Sequence, residues 1–169
     1  MVSITAFVIG IALNKPEISD DVSESALLNA NLLEVSRSDS TEVISTTIQP
    51  KLADLSLVNF WATWCAPCRH EMPMFETVYQ QALAEEIPFT IIGITIDDPE
   101  LANPMLDDMG INYPVVYAES TGMELMSVIG NPQGLMPYSL LIKKDGTVLE
   151  QKIGRVHQED IAGWIETYL

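Results

Sequence analysis

The tightest constraint on this chain lies in residues 55–83, where a continuous apolar run gives way to a helical pattern and the only two cysteines sit at the junction. Leu55-Ser56-Leu57-Val58-Asn59-Phe60-Trp61 is short, aromatic and β-branched, the composition of a strand buried on both faces. Further on the apolar period changes. Phe75, Val78, Tyr79, Ala82 and Leu83 recur at i, i+3 and i+4, which predicts an amphipathic helix. Trp64-Cys65-Ala66-Pro67-Cys68 therefore falls at a strand-to-helix turn, with Cys65 at the helix N-terminus. Two cysteines so spaced beside a strand–helix–strand pattern are a redox signature.

Unpaired backbone N–H groups and aligned peptide dipoles at a helix N-terminus favour negative charge, so they shift a thiol toward its nucleophilic thiolate form. Cys65 is the expected exposed attacking sulfur. Cys68, one turn on and more buried, is the expected sulfur that resolves the mixed disulfide. Pro67 suits the first helical turn, where its missing N–H removes no bond. Other uses of the pair fit less well. A structural disulfide across so short a loop restrains little of the unfolded chain. Zinc needs two further ligands, and only His70 and His157 remain besides carboxylates. Haem attachment requires histidine after the second cysteine, where Arg69 stands.

The net charge of −16, with eight Lys and Arg in 169 residues, excludes nucleic acid and anionic membranes as natural partners, because neutralising phosphates takes a basic surface. A hydrophobic content of 47% predicts a stable globule that needs no disulfide scaffold.

Two regions follow: an N-terminal segment with its linker over 1–24, and one domain over 25–169. Residues 2–13 form an apolar run shorter than the roughly 20 residues that cross a bilayer, and no positive n-region precedes it. It reads as the end of an anchor or signal segment, with a helix or strand packed on the body as the alternative. Residues 14–24 are polar, acidic and contain Lys15-Pro16, so they read as linker. Residues 27–35 and 42–48 read as a β-hairpin around the polar 36–39, although 27–33 also suit a helix. Beyond the cysteines come a second buried strand (88–96) and a helix opened by Asp97-Asp98-Pro99. Capping and helix-start charge explain those aspartates better than acid–base chemistry. A short strand (113–117), a helix (121–129) ended by Gly130-Asn131-Pro132, a hairpin (138–142 and 147–149) and a helix marked by Ile161, Trp164, Ile165 and Tyr168 complete the chain. Strand–helix–strand followed by strand–strand–helix is an α/β order.

The segment Asn59-Phe60-Trp61-Ala62-Thr63-Trp64-Cys65-Ala66-Pro67-Cys68-Arg69-His70-Glu71-Met72-Pro73 resembles the active site of thioredoxin-fold proteins, within them the TlpA/ResA-like envelope disulfide reductases. The resemblance spans residues 50–169. It implies a thioredoxin fold, a central mixed sheet flanked by helices with an N-terminal β-hairpin extension. It also implies a thiol–disulfide oxidoreductase acting as a reductase, with no cofactor. Pro137 would be a cis-proline facing the cysteines, and with Trp64, Pro67 and Met136 it would touch substrate. Glu71 matches the family's Cys-x-x-Cys-x-x-Glu pattern and would relay a proton to or from Cys68; a solvated helix charge is the alternative. Pro73 would kink the helix. Asn59 departs from cytosolic thioredoxins, which carry a buried Asp there. Tyr138, where the family has Thr, and Gly134, three residues before Pro137, also depart and imply altered partner contacts. Trp61 reads as core or platform, and Arg69 and His70 as solvent-facing.

The partners so implied are disulfide-bearing envelope proteins, apocytochrome c among them, and a membrane thiol–disulfide electron donor. The resemblance places the protein as a monomer in the periplasm or envelope, with a possible N-terminal tether to the inner membrane. Two rivals remain. One is a redox-inert binding or chaperone module using the surface around Met136 and Trp64. The other is a thiol peroxidase, whose Pro-x-x-x-Thr/Ser-x-x-Cys pattern fails at Val58 and Ala62.

Overall fold

A computed structural model describes residues 20–35 and 43–169. It begins with helix α1 (Asp20–Leu28) and strands β1 (Leu32–Val35) and β2 (Val43–Thr46), then β3 (Leu55–Trp61), α2 (Ala66–Ala84) and β4 (Phe89–Thr95). The chain continues through α3 (Pro99–Asp108), β5 (Val115–Tyr117), α4 (Gly122–Val128), the hairpin β6 (Tyr138–Lys143) and β7 (Val148–Ile153), and α5 (Gln158–Tyr168). The strands form one sheet in the order β2-β1-β5-β4-β3-β6-β7. Pairing is parallel within β3-β4-β5 and antiparallel elsewhere, so the sheet is mixed as expected.

Side chains of a strand alternate between faces, and here both faces are buried. Leu55, Leu57 and Trp61 of β3 join a core with Met72 and Phe75 of α2, Ala102 and Leu106 of α3, and Ile161 of α5. Val58 and Phe60 point the other way, into a core with Leu27 of α1 and Met126 of α4. That two-sided burial is why β3 and β4 read as unbroken apolar runs.

The N-terminal hairpin forms, with Leu32 opposite Thr46 and Val35 opposite Val43. Its start differs from the sequence reading. Residues 20–28 are helical, so 20–24 are not linker and 27–28 are not strand. Leu27 is buried because α1 packs on the α4 side of the sheet, and Asn29 ends the helix by returning its N–H and its side-chain Nδ2 to the Ser25 carbonyl. The apolar run 2–13, residues 14–19 and the turn 36–39 lie outside the described residues. Among the described residues no helix is long and apolar enough to cross a membrane.

A row of small side chains crosses the sheet beneath α2: Gly93 of β4, Asn59 of β3 and Ser139 of β6 are register partners. Trp61 uses the space over Gly93, where a Cβ would meet the indole Nε1 at 2.9 Å and Tyr113 at 3.2 Å. Gly93→Ala is therefore expected to destabilise the fold by about 1–3 kcal/mol through overpacking, seen as a lower denaturant midpoint at unchanged m-value.

Candidate active site

The cysteine pair occupies the junction the sequence marks. Cys65 is the N-cap residue of α2, with extended backbone at φ −80° and ψ 95°, and its Sγ accepts the Cys68 N–H at 3.3 Å. A turn feeds it, closed by the Cys65 N–H on the Ala62 carbonyl at 3.0 Å. Cys65 and Cys68 form a disulfide with Cα atoms 5.3 Å apart. Cys65 is less exposed than the sequence suggests, at 5%, because its sulfur is bonded to a wholly buried partner; Cys68 is 0% exposed. Cys65 is the more exposed of the two, as expected, and offers only a narrow edge. Trp64 stands 66% exposed beside it, while Trp61 is core. Pro67, Arg69 and His70 face solvent.

The Met136–Pro137 bond is cis. Tyr138 is paired with Phe60, so Pro137 lies one residue past that pair, at the carboxyl end of β3 from which the cysteine turn emerges. Met136 packs on the cluster containing both cysteines. The approach to the proline is held by Asn131, which is fully buried: its Oδ1 accepts the Leu135 N–H at 3.1 Å and its Nδ2 donates to the Leu135 carbonyl at 2.8 Å. Tyr138 turns away from this surface. Its hydroxyl donates to the Ile129 carbonyl at 2.6 Å, and burial pushes the phenol up to about 12.

Glu71 is fully buried, which removes the solvated-charge alternative. One turn beyond Cys68 on the same helix face, it reaches over the row of small residues. Its Oε1 accepts Asn59 Nδ2 at 2.9 Å, and its Oε2 accepts the Val156 N–H at 2.9 Å. Asn59 Nδ2 also donates to Ser139 Oγ at 2.9 Å, while Asn59 Oδ1 has no hydrogen-bond partner among the described residues. Burial pushes the Glu71 carboxyl up to about 7, against the pull of these donors and of Arg155 and Lys152. A buried carboxyl titrating near neutrality can hold or release a proton at the pH where a thiol must do the same.

Three contributors escaped the sequence reading. Asn131 looked like a helix stop, Ser139 looked like an ordinary strand residue, and Val156 carried no signal of its own. A fourth was misassigned: Asp97 caps nothing, and its Oδ2 instead accepts the Thr63 N–H at 2.5 Å. Asp98, the N-cap of α3, makes no side-chain cap bond either. The available signal was position, since ligand and reaction sites of parallel sheets gather at the carboxyl ends of the strands.

A family model described as Redoxin matches residues 37–164. The chain is 34% identical over 110 residues to a thiol-disulfide oxidoreductase ResA of Bacillus thuringiensis, covering 64% of this chain and 60% of that protein. It is 30% identical over 131 residues to the protein of that name from Oceanobacillus iheyensis, covering 75% and 64%. The chain thus spans about three fifths of the length of the curated relatives it matches. Among solved structures, a thioredoxin-related protein of Neisseria meningitidis superposes with a TM-score of 0.65 at 24% identity, covering 79% of this chain and 96% of that one. StoA from Bacillus subtilis gives 0.56 at 22%, covering 78% and 95%. These superpositions bear on the fold, which is the thioredoxin fold.

Proposed function

This chain belongs to the redoxin family, and we propose that it is a thiol–disulfide oxidoreductase that reduces disulfides in partner polypeptides. The observation that carries the proposal is Cys65 capping α2, bonded to a buried Cys68, at the same sheet end as the cis Met136–Pro137 bond. In the reduced protein, the Cys65 thiolate attacks one sulfur of the target disulfide. That S–S bond breaks, a mixed disulfide forms, and the departing target sulfur takes up a proton. Cys68 then gives up its proton and attacks Cys65, releasing the second target thiolate. Two electrons reach the target, and the cysteine pair ends as the disulfide. Glu71 is the group proposed to accept the Cys68 proton. Trp64, Pro67, Met136 and Pro137 form the contact surface, on which the extended target chain pairs with the Met136 backbone.

The resemblance to ResA-like proteins supports an envelope location and disulfide-bearing envelope proteins as targets. It also supports regeneration by a membrane thiol–disulfide donor. The direction of electron flow is tested by equilibrating the pair with glutathione. A reductase has a potential below about −230 mV, the glutathione poise; a value near about −120 mV overturns that direction.

A further inference from the structure

The exchange just described leaves one buried carboxylate without a task. Among the described residues Glu71 and Asp97 are the buried carboxylates. Glu71 lies beyond Cys68, whereas Asp97 lies at the carboxyl end of β4, beside the turn that carries Cys65. Its Oδ2 accepts the Thr63 N–H at 2.5 Å, and its own N–H donates to Thr95 Oγ1 at 3.2 Å. Thr63 is the second residue of the turn closed between Ala62 and Cys65. Two peptide units put the Thr63 and Cys65 Cα atoms no more than about 7.6 Å apart. A carboxylate bonded to the backbone of this turn, and 9% exposed, opposes a second negative charge at the sulfur. The N-terminus of α2 acts the other way, because it favours the thiolate and hence the reduced form, which is what makes a disulfide strongly oxidising. The other ionisable side chains at these helix starts, Arg69 and His70 on α2 and Asp98 and Glu100 at α3, are exposed and screened by solvent.

We propose that Asp97 is a positioning residue for Cys65 that also sets the poise of the pair: it pins the turn through Thr63 and, as a buried negative charge, holds the Cys65–Cys68 couple on the reducing side. This rests on the oxidoreductase reading and specifies what tunes it. An amide at this position could accept the same Thr63 N–H, so clamp and charge are separable.

The test compares the wild type with Asp97→Asn and Asp97→Ala. Each is equilibrated with glutathione, in which the protein disulfide plus two glutathione thiols gives the dithiol plus glutathione disulfide. The pH at which Cys65 ionises is read from alkylation rates. Asp97→Asn is expected to move the equilibrium about tenfold toward the dithiol, about 30 mV, and to let Cys65 ionise at lower pH. Asp97→Ala should show the same shift together with a several-fold slower attack on a disulfide peptide, because the turn is released. Wild-type potential and ionisation in Asp97→Asn overturn the charge role; equal attack rates in the two variants overturn the clamp. If Asp97→Ala fails to fold, comparing attack by Asp97→Asn and Thr63→Pro, which removes the donated N–H, decides the clamp instead. The glutathione equilibrium needs only an exchangeable pair. A wild type that equilibrates yet reduces no polypeptide disulfide would sink the function and leave this inference standing.

Discussion

Cys65→Ser is expected to abolish disulfide reduction, a fall of roughly 10⁴-fold or more against the wild type with a polypeptide disulfide as substrate. Serine keeps the shape of the N-cap and can still accept the Cys68 N–H, so the helix start survives while the nucleophile is lost. Cys68 cannot stand in, because it is wholly buried behind Cys65. Cys68→Ser should behave differently. Its Cys65 still attacks once, but nothing releases the product, so the mixed disulfide accumulates and turnover stops. Non-reducing electrophoresis with mass analysis of the trapped adduct distinguishes the two variants and identifies the target. Full partner function in Cys65→Ser would favour the binding-module reading. A stable adduct in Cys65→Ser would mean that the roles of the two sulfurs are reversed.

The centre of the fold was legible because its strands are buried on both faces and its helices on one, so the apolar period changes at each boundary. The run through Trp61 and the i, i+3, i+4 pattern from Phe75 placed the cysteines at the turn they occupy. The first helix was not legible, because Leu27, Leu28, Leu32 and Leu33 fit either period over so short a stretch. What decides it is tertiary: Leu27 is taken up by the core under α4, and Asn29 stops the helix with a bond local periodicity cannot show.

The site was legible where chemistry is written in spacing and illegible where it depends on folding. Cys65, Cys68 and Glu71 stand at fixed intervals on one helix, and Pro137 announces its own backbone constraint. Ser139, Val156 and Asp97 reach the site only through pairings distant in sequence: Ser139 meets Asn59 across 80 residues, Val156 meets Glu71 across 85, and Asp97 meets Thr63 across 34. The same spacing that located Glu71 could not say that it would be buried, and burial is what raises its carboxyl to the pH range that the proposed proton transfer needs. A solvated glutamate at that position would be ionised throughout the working pH range and would be a poor proton carrier.

Glu71→Gln is expected to make the protein more stable at alkaline pH and slower in catalysis, a combination a purely structural residue would not give. In the folded protein the carboxyl titrates near 7 instead of at its ordinary 4.5. The unfolded chain therefore loses its proton first as pH rises. Wild-type stability from this group is fully present below the unfolded value, declines as pH rises between the two, and is lost once pH passes the folded value; the loss is on the order of 3 kcal/mol. Glutamine has no proton to lose and escapes that decline. It also keeps the network. Its oxygen can accept the Val156 N–H, and a half-turn of the Asn59 amide presents the unpartnered Oδ1 to the new amide N–H. Denaturation of the oxidised proteins should thus show the variant gaining about 3 kcal/mol on the wild type between about pH 4 and about pH 9. Resolution of a preformed mixed disulfide should slow about 100-fold, because the amide cannot take the Cys68 proton. A stability difference that stays flat with pH would place the Glu71 titration outside the neutral range, and an unchanged resolution rate would remove it from the proton path.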